Sequence, residues 1–61
     1  MSDREIEVLR LIAAGKNNKE IALDLVISIS TVKFHVVNIL EKMKVATRSE
    51  AVAQAVRDGL L

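Results

Sequence analysis

The chain has 61 residues, 51% of them apolar, with 9 Lys and Arg against 8 Asp and Glu, one His, one Phe, and no Cys, Pro, Trp or Tyr. That length allows one small hydrophobic core and excludes a multidomain machine. The lack of cysteine excludes disulfide staples and thiolate-bound zinc, no apolar run approaches the ~18 residues of a spanning helix, and the chain does not open on a secretory leader, so the expectation is a soluble cytoplasmic protein with no membrane partner.

Apolar residues recur at three- and four-residue spacings with little period-two alternation, which predicts an all-α fold. A first helix is expected over residues 3–14. Ser2 with Glu5 three residues on is a capping-box signal, Gly15 marks the stop, and Ile6, Val8, Leu9, Ile12 and Ala13 form the inward arc. A second, over residues 18–26, starts with the Asn17/Glu20 pair and can bury Ile21, Ala22 and Leu25. A third, over residues 29–43, is capped by Ser28. A fourth, over residues 48–58, starts with Thr47 and Glu50, turns Val52, Ala55 and Val56 inward, and stops at Gly59 with Leu60 folding back.

Charge is uneven along these elements. The middle of the chain carries Lys16, Lys19, Lys33, Lys42, Lys44 and Arg48 against only Glu20, Asp24 and Glu41, while both flanks are slightly acidic. Such an excess fits an acidic partner, although part of any such excess belongs to solvated helix faces.

The third helix is the informative one. Val32, Val36, Ile39, Leu40 and Met43 share one stripe, which is its core face; Ser30, Lys33, Phe34, Val37 and Glu41 fall on the opposite side. The only aromatic residue therefore faces outward. The short connection from the second helix, with Ala22 small enough for close approach and Val32 ten residues on, has helix-turn-helix spacing. In that motif the second helix enters the DNA major groove, where lysine donates to guanine or phosphate and an apolar side chain packs on the thymine methyl group.

The stretches "REIEVL", "AAGKNNKEIA", "TVKFHVVNILEKMKV" and "RSEAV" run in order over nearly the whole chain. They closely resemble the C-terminal helix-turn-helix domain of LuxR/NarL/FixJ-type bacterial transcription regulators, many of them response regulators of two-component systems. The resemblance implies a four-helix DNA-binding domain, residues 1–61, separated from its regulatory domain and acting on double-stranded DNA as a dimer. An excised effector domain is favoured over a stand-alone member. By position it implies groove contacts from Lys33, Phe34 and Val37, with Ser30 beside them, backbone-proximal roles for Thr31 and Asn38, and a phosphate site at Asn18 and Lys19. Lys42 and Lys44 are expected as non-specific phosphate contacts. A weak dimer contact is expected from the fourth helix through Glu50, Ala53, Gln54 and Arg57, with RNA polymerase as a further partner and a nucleoid-associated location in the bacterial cytoplasm.

The chain departs from the family pattern at Ile29, Ser30, Phe34 and Val37, where polar, charged or smaller residues are usual, so the reading head is unusually apolar. Preference for thymine-containing half-sites and a shallow salt dependence follow. Leu23 also replaces a usually polar residue. His35 lacks the further ligands a metal needs, and no nucleophile–base pair, carboxylate pair or phosphate-cradling glycine loop is present, so neither metal, cofactor nor enzymatic activity is expected. Two alternatives stay open: a sigma-factor-like promoter-reading domain, and a protein-interaction module using Ile29, Phe34 and Val37 as an apolar patch.

Overall fold

A computed structural model describes residues 1–61 as four helices: α1 (Asp3–Ala13), α2 (Asn18–Leu25), α3 (Ile29–Met43) and α4 (Arg48–Arg57). Each begins where the sequence places a cap. The side chains of Ser2, Asn17, Ser28 and Thr47 accept from the backbone amides of Glu5, Glu20, Thr31 and Glu50. Reciprocal capping boxes form at Ser2 and Asn17. At Thr47 the box is incomplete: the Glu50 carboxylate accepts a hydrogen bond from the Thr47 hydroxyl at 3.2 Å instead of from the backbone amide.

All four helices end in the same way. The amide two residues past the cap, or one past it where the cap itself is left-handed, reaches back five residues into the last turn: Lys16 to Leu11, Ile27 to Ala22, Val45 to Leu40 and Leu60 to Ala55, at 2.8–3.1 Å. Such an ending needs a residue at positive φ. Gly15 and Gly59 supply it at φ 88 and 74, but α2 and α3 use Val26 and Lys44, at φ 56 and 57. This shortens α2 by one residue from its expected end, because Val26 is left-handed and cannot continue the helix. One-residue differences at Ala14 and Asp58 are likewise caps. Ile27, Val45 and Leu60, just past three of these turns, fold back against the core.

The core comprises Val8 and Leu9 of α1, Ile21 and Ala22 of α2, Val32, Val36, Ile39 and Met43 of α3, and Ala51 and Ala55 of α4. Helix α3 is central and packs on the other three. Three inward assignments are corrected. Ile6 is only half-buried, Ala13 is exposed, and Val56 is exposed because α4 rolls so that its small residues, Ala51 and Ala55, meet the core. Small side chains allow that close approach, and they leave Val52 half-buried at the margin.

One charged residue lies inside. Glu5 is 4% exposed, and its Oε1 accepts both from the Ser2 amide at 2.9 Å and from Lys42 Nζ at 2.8 Å. These donors, Lys42 foremost, outweigh the opposing effect of burial and hold the carboxyl at a pKa of about 2. The bond ties the C-terminal half of α3 to the first turn of α1.

Candidate nucleic-acid interface

Helices α2 and α3 turn through 108° at the Val26–Ser28 connection. That lies in the ~90–120° range of a helix-turn-helix. The angle is held from inside by Ile21, Ala22 and Val32, which share the core. Its physical effect is to stand α3 proud of α2, with one face in the core and the other in solvent.

The solvent face of α3 carries Ser30, Lys33, Phe34 and Val37, all exposed; Phe34 is 63% and Val37 53% accessible. Their spacing makes one patch, since residues three and four apart are neighbours on a helix. The Phe34 ring and that of the half-buried His35 lie in a T-shaped arrangement, with centroids 6.0 Å apart and an interplanar angle of 61°. Glu41, a turn past Val37, is the first carboxylate in line with this face. Thr31 and Asn38 sit half-buried at its borders. Thr31 is partly spent on capping, for its amide donates to Ser28 Oγ at 3.1 Å and its hydroxyl lies 2.8 Å from the same atom.

The basic residues divide into committed and uncommitted groups. Lys16 pairs with Asp24, whose hydrogen bond raises the lysine pKa, and Lys42 is held by Glu5. Arg48 donates to Asn18 Oδ1, joining the start of α4 to the start of α2. Lys19, Lys33 and Lys44 are exposed and have no ion-pair partner. The positive charge available to an outside anion is therefore smaller than the middle of the chain implies. A phosphate contact from Lys42 shares its ammonium with Glu5, whereas Asn18 accepts Arg48 at Oδ1 and keeps its Nδ2 donor for an outside acceptor. Sequence gave no local signal for these two tethers, which link residues 37 and 30 positions apart.

On α4, Glu50, Ala53 and Arg57 are exposed and Gln54 is half-buried. Ala53 and Val52 line an open cleft of about 470 Å³ against Ile12 and Ala13 of α1. This cleft is built from α1, the connection after it and α4, and includes no residue of α3.

The fold and this exposed second helix define the class: a helix-turn-helix domain in a four-helix frame. Residues 1–55 match the family model described as bacterial regulatory proteins, luxR family. The chain belongs to that family. It is 49% identical over all 61 residues to the transcriptional regulatory protein LiaR of Bacillus subtilis, and 48% identical over the same span to the response regulator protein VraR of Staphylococcus aureus; in both it covers 29% of the relative's length. The crystal structure of the response regulator ChrA, from a heme-sensing two-component system, superposes with a TM-score of 0.95 at 40% identity, over 98% of this chain and 30% of that one. The expected all-α, LuxR-type fold and the resemblance read from the sequence are thus borne out, and the family is one of regulators, not enzymes.

Proposed function

We propose that residues 1–61 are a DNA-reading domain that binds double-stranded DNA sequence-specifically to regulate transcription, with α3 in the major groove. The observation that carries this is the outward face of α3: Ser30, Lys33, Phe34 and Val37 stand exposed on the central helix of the core, where its packing against three other helices fixes their position. Lys33 is the donor to guanine or phosphate, and Phe34 and Val37 are the apolar contacts. Thr31, Asn38 and the start of α2, with Asn18 and Lys19, face the sugar–phosphate backbone, where amides at a helix N-terminus suit a phosphate. Lys44 adds a non-specific phosphate contact, and Lys42 does so with an ammonium it shares with Glu5.

The strip of exposed Glu50, Ala53 and Arg57 with half-buried Gln54 on α4 is the dimer contact. It is too small to hold a tight dimer alone, so pairing is weak in solution and completed on DNA with two half-sites. The names of the relatives support regulation of transcription; action in the bacterial cytoplasm on nucleoid DNA, with RNA polymerase as the machinery acted upon, completes the proposal.

Selection of bound sequences from a random duplex pool, at two salt concentrations and with Lys33→Ala in parallel, tests this reading. A short motif repeated at a fixed spacing is the expected result. A single unrepeated motif would point to a promoter-reading domain of the sigma-factor kind. No enrichment above a salt-sensitive background would overturn DNA reading and leave the apolar face of α3 to a protein partner.

A further inference from the structure

Resting on the DNA reading of α3, we infer that Phe34 and Val37 make this domain a reader of pyrimidine C5-methyl groups, in thymine and in 5-methylcytosine alike. Both side chains are more than half exposed and neither can donate or accept a hydrogen bond. Against a base edge they can satisfy only an apolar group, and the C5-methyl of thymine is the one such group that unmodified DNA displays in the major groove. Placed against guanine, adenine or unmodified cytosine they would strip water from N7, O6, N6 or N4 without replacing its hydrogen bonds, a penalty that enforces the choice.

The occupant of this face is fixed as DNA by its neighbours. Lys33 is adjacent in sequence and on the same surface, exposed and without an ion-pair partner, and the first two turns of α3 contain no carboxylate. Glu41 lies beyond Val37 and bounds the reading segment at its C-terminal side.

Geometry sets the spacing of the methyl groups. Three residues advance a helix by ~4.5 Å, close to the ~3.4 Å rise of a base step, so Phe34 and Val37 read neighbouring steps. A methyl at C5 of cytosine occupies the place of the thymine methyl, and the apolar side chains treat the two as equivalent. Lys33 does not, because thymine O4 accepts a hydrogen bond where the cytosine N4 amine donates one. 5-Methylcytosine should therefore rank between thymine and cytosine, making binding responsive to cytosine methylation at those two steps.

The test is a fluorescence-anisotropy titration of the 61-residue chain with the selected duplex, each thymine replaced in turn by deoxyuridine, which removes the methyl and nothing else. A loss of about three- to fivefold in affinity is expected at each of two neighbouring positions and none elsewhere. Phe34→Ala should erase the loss at one of them and Val37→Ala at the other. 5-Methylcytosine at either position should bind more tightly than cytosine. Undiminished, still sequence-specific binding to the fully uracil-substituted duplex would overturn methyl reading and leave DNA reading intact; absence of specific binding to any duplex would overturn both.

Discussion

Val36 and Val37 are identical side chains on neighbouring residues of one helix, yet Val36 is 6% exposed and Val37 53%. The 100° step between them carries one into the core with Val32, Ile39 and Met43 and leaves the other beside Phe34. Apolarity has one consequence on the inner face, where it removes surface from water on folding, and another on the outer face, where that surface is still available to a second molecule. Folding therefore depends on one stripe of α3, and the proposed recognition falls to the other.

The sharpest way to test that division is to truncate the inner valine. Val36→Ala removes two buried methyl groups and leaves a cavity among the α3 core residues, for an expected loss of about 2 kcal/mol. In a domain of this size that lowers the melting temperature by roughly 8–16 °C, measurable by far-UV circular dichroism. A loss near zero would mean that the inner stripe is not what holds the fold.

The division also requires that α3 keep its roll about its own axis, and the Glu5–Lys42 bond is one device that does so. Glu5→Gln keeps a side-chain acceptor for Ser2 but removes the charge facing Lys42, costing about 1–2 kcal/mol at pH 7, the half-exposed lysine being partly screened. The sign with pH follows from the lowered pKa: the stabilisation is complete above the ordinary value of 4.5 and is lost as pH falls toward about 2. Urea denaturation between these limits should show the wild type losing stability with acid and the variant losing less.

Val26 sets the direction in which α3 leaves the turn, and it does so in a left-handed conformation that a β-branched residue adopts at a cost. Its side chain is 89% exposed, so replacing it forfeits almost no burial. Val26→Gly should raise stability by about 0.5–1 kcal/mol, the relief of strain exceeding the added freedom of the unfolded chain. A lower midpoint in denaturant would show that the valine contributes contacts that outweigh its backbone strain.

Val26 also marks where the sequence stops being legible. Capping pairs and apolar periodicity located all four helix starts, and glycines marked two of the stops. The stops at Val26 and Lys44 carried no such mark, because the sealing bonds from Ile27 and Val45 are made by backbone and depend on those side chains tucking into the core. The outer face of α3 was legible for a simple reason: a wheel separates its two stripes without any tertiary information. The roll of α4 was not, since alanines fit either side of a helix and only packing against α1 and α3 decides that Ala51 goes in and Val56 out. Nor were the partners of Lys42 and Asn18, which come from residues distant in sequence and brought close by the fold.

The smallest expected change in stability is the most telling one. Val37→Ala and Phe34→Ala remove apolar atoms that water already reaches, so each should shift the folding free energy by no more than about 0.5 kcal/mol, within the range of ordinary surface substitutions. Alanine is moreover a better helix former than either residue, which offsets whatever partial burial is lost. Two variants with unchanged midpoints in urea but impaired binding to the selected duplex would separate folding from recognition on a single helix. If instead either unfolds as readily as Val36→Ala, the outer stripe is part of what stabilises the domain, and its exposure in the isolated chain is no guide to what it binds.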